Sequence, residues 1–509
     1  MRWARMDQQK TTLQGGIALL GTNSVPSDGP VDIVIEGQRI AAVRPSGEAA
    51  PEGRVIDLRG RLVTPGLING HQHSHEHYQK AFFRDNLPLE PWMNYTRPLK
   101  PLQLTSRQVY LRTMIGAIEA VRSGTTTMND DFNVSPVLIP EHVEAAYQAY
   151  DDIGIRANLG MTLFDKPFFR AVPFVDEEFP STLLQAYEAV KPTPPSEVLD
   201  YAREQARERH WRENRVAYIA APSAPQRCTA DFLLEVRDMA DSFELPVMIH
   251  VQETRVQVVT GQLDHGSTLV EYLHKLGFMK PRTQFIHAIW LNPRELELIA
   301  ETGISLQHNP TVNLMVGSGL MPVREVLDAG INLSMGTDGC GSIETCDMHK
   351  ALFTGALLQK LRGWDHTRWV GATEIWRAAT MGGAVALGRG DELGAIEPGR
   401  RADLTVYRLD GIQLTPLNDP VRQLVYAETG RNLEAVFVDG DTIMLDGRLT
   451  RVDEAALITE IQEAHRELLP QLVASRAEVE KMVEPMERIY RRCQKIPIAE
   501  DTFPTRVPY

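Results

Sequence analysis

The sequence predicts an α/β protein built around a (β/α)8 barrel, with a small β-sandwich made from both chain ends and a C-terminal helical tail. Three observations predict it. Between residues 63 and 390, near-continuous apolar strands alternate with helix-periodic stretches, the pattern of a parallel sheet covered on both faces. On either side lie short strands of alternating polarity, punctuated by Gly and Pro. From Asp453 onward the apolar period turns helical.

In chain order, residues 10–62 hold strands at 31–35, 39–43 and 55–58, as in a small antiparallel sheet. Residues 391–450 hold matching strands at 402–407, 433–438 and 442–445, and the two sets are expected to complete one β-sandwich. The candidate barrel strands are 67–71, 125–129, 155–161, 216–222, 247–251, 284–288, 304–308 and 331–337. These strand–helix units fit a (β/α)8 barrel with insertions. A doubly wound open sheet has the same periodicity, but no Gly-rich nucleotide loop follows any strand. In the tail, residues 451–509, Asp453 is positioned as an N-cap, and Leu457, Ile461, Leu468 and Leu472 share one face. Pro470 and Pro485 are expected to interrupt this helix, which packs on the barrel or on a neighbouring subunit.

Composition narrows the class. At 509 residues the chain exceeds a single core, and 43% hydrophobic with 24% charged residues is ordinary for a soluble globular protein. A net charge of −14 argues against a nucleic-acid partner. The basic run from Arg203 to Arg215 is interleaved with Glu204, Glu208 and Glu213 and reads as a solvated helix face. There is no 18-residue apolar run, so no membrane span is expected. The first ten residues carry charge without the apolar core of a signal peptide. Cysteines 228, 340, 346 and 493 lack CxxC spacing and fit a reduced, cytoplasmic protein.

The chemistry gathers at strand ends, where the reactive side chains of such barrels sit. His71 and His73 close the first strand, and alternate residues of a strand point the same way, so both imidazoles can face one metal ion. His250, His287 and His308 end the fifth, sixth and seventh strands, and Asp338 ends the eighth. One such histidine is usually structural; His or Asp at so many strand ends in one chain indicates a metal site. Three neutral imidazoles and a carboxylate suit Zn2+ or Fe2+ with one position left for water, whose pKa the metal brings towards ~7. Glu253, three residues past His250, can reach a substrate and suits a general acid.

The motifs now resemble the amidohydrolase superfamily, in its branch of aromatic aminohydrolases. That branch includes S-adenosylhomocysteine/methylthioadenosine deaminases, guanine deaminase and s-triazine hydrolases. The matching text includes Val63 to His73, Leu87-Pro-Leu-Glu-Pro-Trp92, Ser123 to Thr127, His250-Val-Gln-Glu253, His308 to Asn313, Gly336-Thr-Asp338-Gly339 and Ala402-Asp403-Leu404. The resemblance implies a distorted barrel with an accessory β-sandwich. It implies His71, His73, His250 and Asp338 as metal ligands, Glu253 as proton shuttle, and His287 in contact with the attacking hydroxide or the substrate. Trp92 and His308 are expected at the substrate. Trp290, just beyond His287, would either stack on an aromatic ring or pack in the core. No Lys, Glu or Cys lies on 216–222 to bridge a second metal, so one divalent ion is expected, Zn2+ before Fe2+.

Two departures bear on the substrate. Adenosine-type members carry an acidic residue after the Pro-Leu-x-x-Trp motif, whereas here Trp92 is followed by Met-Asn-Tyr-Thr-Arg-Pro-Leu-Lys100. After Asp338 they show a Ser-Asn-Asn run, replaced here by Gly341 to Cys346. The run His75-Glu76-His77 reads as the solvated start of a helix, with a feature of the pocket as the alternative. The expected activity is hydrolytic attack on a carbon–nitrogen bond of a small aromatic heterocycle, by deamination. The alternatives are loss of chloride or alkylamine from a triazine, hydrolysis of an amide, urea or carbamate, and a non-catalytic barrel scaffold. A homo-oligomer is expected.

Overall fold

Strand β1 (Leu67–Gln72) is buried at every position, as are β2 (Thr125–Phe132) and β3 (Arg156–Leu163), because helices cover one face of the sheet and the barrel interior the other. This computed structural model describes residues 10–98 and 100–506; the signal-peptide reading falls almost wholly on residues outside that range. Strands β1, β2, β3 and β4 (Val216–Tyr218) pair in parallel, in that order. A second parallel arc runs through β5 (Val247–Val251), β6 (Thr283–His287), β7 (Ser305–His308) and β8 (Asn332–Met335). The arcs meet at the parallel bridge Ala220–Val247. They close on the far side where the Asp338 N–H donates to the His71 carbonyl at 3.0 Å. The result is a distorted (β/α)8 barrel with its strand ends converging on one face.

Both chain ends build an accessory ten-stranded sheet. The strand Arg61–Pro65 pairs antiparallel with Leu404–Arg408, and the hydroxyls of Thr64 and Thr405 bond across that seam at 2.6 Å. Leu13, Ile33 and Val63 from the first end bury against Leu404, Val406 and Phe437 from the second. Arg156 on β3 ties sheet to barrel. Its Nε lies 3.1 Å from Asp403 and its Nη2 2.5 Å from Asp439, all three side chains buried.

Helix α1 (Ser106–Arg122) opens on a capping box between Thr105 and Gln108. Helix α2 (Glu454–Cys493) starts where the Asp453 carboxylate accepts the Ala456 N–H at 3.0 Å, as the N-cap reading requires. The expected breaks at Pro470 and Pro485 do not occur, and the helix runs unbroken for 40 residues. Packing outweighs the lost backbone bonds: Val479, Met482, Met486 and Ile489 bury against Leu87, Leu89, Trp92 and Tyr95. The tail thereby holds the Trp92 segment over the mouth of the barrel. Among the described residues no helix is long and apolar enough to cross a membrane.

Candidate metal centre and its pocket

Four histidines and one aspartate converge at the strand ends. His71 is fully buried, with ring centroids 4.6 Å from His73 and 4.8 Å from His250. Asp338 Oδ1 lies 3.5 Å from His73 Nε2, and its Oδ2 lies 3.9 Å from His71 Nε2 and 3.4 Å from His287 Nε2. Three of the rings are oriented from behind. His73 Nδ1 donates to the Asp131 carbonyl at 2.9 Å, His250 Nδ1 to the Ser223 carbonyl at 2.8 Å, and His287 Nδ1 to Asn313 Oδ1 at 2.9 Å. Each bond leaves Nε2 facing inward. Asp338 holds φ 72° and His287 φ 69°, a left-handed backbone that non-glycine residues adopt at some cost and that clusters at functional sites.

The donor set fits a divalent ion. Both ring nitrogens of His71 are buried without a hydrogen-bond partner, an expensive condition unless something else satisfies them. Ligand atoms of His71, His73 and Asp338 lie mutually within 4.8 Å, as do those of His71, His250 and His287. Burial and the neighbouring imidazoles push His71 and His250 well below the usual histidine range, so both stay neutral and available as ligands. His73 differs. Burial alone would lower it, but the carboxylates of Asp338, Asp131 and Glu76 outweigh burial and raise it to about 9; a metal ion would displace that proton.

Glu253 stands beside the cluster, its Oε2 3.6 Å from His287 Nε2, and its Oε1 accepts the Ser318 hydroxyl at 3.1 Å. Burial, reinforced by repulsion from Asp338, pushes it up to about 8, so it holds a proton at neutral pH. A cavity of about 90 Å³ is lined by His73, His250, His287, Asp338, Glu253 and Trp92. It shares His75, Arg97, Phe168 and Arg227 with an adjoining cavity of about 750 Å³, the size of a small-molecule site.

The larger cavity carries more guanidinium groups than carboxylates on its lining, its acids being Asp165 and Glu188. Arg97, Arg112 and Arg227 all line it, and among the described residues none of the three forms an ion pair. Arg97 Nη1 donates to the Thr96 hydroxyl at 2.7 Å and Arg227 Nη1 to the Ser223 hydroxyl at 3.2 Å, both neutral acceptors. Burial, with repulsion from Arg97, draws Arg227 down to about 9.

His71, His73, His250, His287, Asp338 and Glu253 are thus brought together, and Trp92 lines the cavity beside them. His308 and Trp290 are not among the residues lining either cavity, which revises their expected substrate contacts. His308 is sealed in the core. The Trp290 indole N–H is committed to the Ser318 carbonyl at 2.9 Å. The run His75-Glu76-His77 is no solvated helix start: Ser74–Gln79 forms a buried 3-10 turn, and His75 and Glu76 face the pocket. Sequence reasoning passed over Asp131, whose Oδ2 lies 4.0 Å from His73 Nδ1 and 3.9 Å from His250 Nδ1. Its signal was present, as an acid at the end of the second strand.

The model of the amidohydrolase family matches residues 62–443. A 5'-deoxyadenosine deaminase from Methanothermobacter thermautotrophicus is 31% identical over 440 residues, covering 86% of this chain and 94% of its own. A 5-methylthioadenosine/S-adenosylhomocysteine deaminase from Nitratidesulfovibrio vulgaris is 32% identical over 471 residues, covering 92% and 96%. Among solved structures, an adenosine deaminase from Xanthomonas campestris with bound zinc superposes with a TM-score of 0.79 at 27% identity, covering 91% and 99%. An atrazine chlorohydrolase from Arthrobacter aurescens TC1, complexed with zinc, gives 0.79 at 24% identity over 89% and 100%, a likeness of fold.

Proposed function

The chain belongs to the amidohydrolase family, and on that premise we propose that it hydrolyses the amino group from a small aromatic heterocycle and releases ammonia. The observation that carries this is a buried proton donor, Glu253, beside the imidazole cluster and Asp338, on a small cavity that opens beside a substrate-sized one. His71, His73, His250 and Asp338 would hold one Zn2+, a choice supported by the nitrogen-rich donor set and by the zinc in the Xanthomonas relative. Bound there, the ion would supply an activated water at neutral pH.

The chain's own groups move the protons. Asp338 takes one from the attacking water while Glu253 gives its own to the ring nitrogen next to the reacting carbon. The adduct then carries hydroxyl and amino groups on one carbon. Asp338 returns its proton to the amine, Glu253 recovers one from the hydroxyl, and ammonia leaves. His287 Nε2, 3.4 Å from Asp338 and 3.6 Å from Glu253, is left unprotonated by the Nδ1 bond to Asn313 and accepts a hydrogen bond from the adduct's hydroxyl until Glu253 takes that proton. Arg97, Arg112 and Arg227 favour a ring bearing an anionic substituent, because a buried guanidinium without a carboxylate partner gains most from an anion. Ammonia release from aminated purines, pterins, pyrimidines and triazines, in neutral and acid-bearing forms, tests the reading. Chloride or alkylamine release in its place would favour the triazine alternative.

The pH profile tests Glu253 separately. Donation requires its protonated form, so turnover falls as pH rises through its pKa. The Ser318 hydroxyl donates to Glu253 and favours the ionised form. Ser318→Ala should therefore raise that pKa and move the basic limb of kcat to higher pH at unchanged metal content. A limb that stays put, or moves down, would assign it to another group.

A further inference from the structure

A second set of metal-binding side chains lies behind the loop that follows Asp338. Cys340 Sγ and Cys346 Sγ are 3.3 Å apart, and Cys346 Sγ is 3.7 Å from His77 Nε2. The three ligand atoms lie mutually within 4.8 Å, and all three residues are buried. Glu119 Oε2 stands 3.8 Å from Cys340 Sγ. Tetrahedral zinc with sulfur, nitrogen and oxygen ligands sets neighbouring donor atoms roughly 3.5–3.8 Å apart, so small adjustments bring the two sulfurs and the imidazole round one ion. Glu119, whose Oε2 accepts the Cys346 N–H at 2.9 Å, would turn to supply the fourth ligand. We propose that Cys340, Cys346, His77 and Glu119 form a structural zinc site, separate from the centre at His71 and Asp338.

The surroundings are built for the imidazole. His77 Nδ1 lies 3.1 Å from the Arg112 carbonyl and also 3.2 Å from the Gly116 N–H. The Gly116 N–H points at Nδ1 as well, and a metal on Nε2 requires the tautomer in which Nδ1 donates to the Arg112 carbonyl. Nε2 is then left unprotonated, and it faces Cys346. This is how a backbone acceptor orients a metal-binding histidine. Gly116 makes the approach possible, since a methyl group there would overlap the His77 ring. A mid-helix glycine costs about 1 kcal/mol relative to alanine, and the seat for His77 accounts for its presence.

Charge closes as well. Two thiolates neutralise Zn2+, their two protons leaving to solvent, and Glu119 is matched by Lys80 Nζ at 3.3 Å. Paired sulfur with nitrogen favours zinc over calcium or magnesium. The site would cross-link three segments: the 3-10 turn after His73, helix α1, and the 339–346 loop, whose Ser342 lines the catalytic cavity. It would hold that loop against the pocket as a closed site with no position for substrate.

The test is metal content with cobalt spectroscopy. Purified from zinc-replete medium, the protein should carry two zinc ions per chain, and Cys346→Ser one. Cobalt-loaded wild type should show a near-ultraviolet thiolate-to-cobalt charge-transfer band, which the His and Asp centre has no sulfur to produce. His77→Ala should weaken or abolish the band, and Asp338→Asn should leave it. If Cys346→Ser does not fold, the wild-type spectrum decides alone. One metal per chain with no charge-transfer band would overturn the proposal. So would a chain lighter by two hydrogens, which would make the cysteines a disulfide.

Discussion

Glu253→Gln is expected to lower kcat by about 10²–10⁴-fold, the usual contribution of a positioned general acid, while the metal stays bound. Glutamine keeps the shape of the side chain and can still accept the Ser318 hydroxyl, whose bond to Oε1 spans 3.1 Å. What it loses is the proton that burial maintains on Glu253. The residue is three positions past His250 and is not counted among the metal-holding groups, so metal content by elemental analysis separates a proton-transfer defect from a lost site. Near wild-type kcat in this variant would remove Glu253 from the mechanism, and loss of the metal would recast it as a supporting ligand.

Arg156→Met should destabilise the fold by about 3–5 kcal/mol, the cost of breaking a buried ion pair from one side. Arg156 bridges Asp403 and Asp439 between the barrel and the accessory sheet, with all three side chains buried. The two aspartates differ in what they keep. Asp439 retains Arg401 at 2.7 Å and Arg215 at 3.2 Å. Asp403 is left with the Asp439 N–H at 2.8 Å and, among the described residues, no cation, so most of the loss arises there. Adding Asp403→Asn should recover part of it by removing the stranded charge. Denaturant midpoints of the single and double variants measure both effects. A single-variant loss below about 1 kcal/mol would mean that the seam rests on its apolar core instead.

The strand ends were legible because chemistry and periodicity coincide there. A short apolar run closing on His or Asp marks a strand and sets a polar side chain at the barrel mouth, and His71, His73, His250, His287 and Asp338 all stand at or just past such ends. The strand at Thr125–Phe132 was harder, since its second half reads Asn-Asp-Asp-Phe yet is wholly buried. Its polar groups bond inside the barrel: Asn129 Nδ2 donates to the Gly70 carbonyl at 3.0 Å, and Asp131 accepts the Thr162 hydroxyl at 2.5 Å. Asp131 was passed over for that reason. The cationic lining was only half visible. Arg97 stands out after Trp92, whereas Arg227, more than a hundred residues away, meets it only through the barrel's closure. His77 joins Cys346 across 269 positions, a distance over which local spacing carries no signal. Helix α2 misled for a related reason: proline breaks an isolated helix, and only the packing seen in the fold overrides it.

Ammonia release by metal-replete protein, with Asp338→Asn as the blank, tests the central claim most directly. The account predicts one ammonia for each ring consumed, from one class of aminated heterocycle, faster for an acid-bearing ring than for its neutral counterpart, and none from the variant. No ammonia from any ring class, by protein that holds its catalytic metal, would contradict it and turn the assignment to chloride, urea or carbamate chemistry on the same centre.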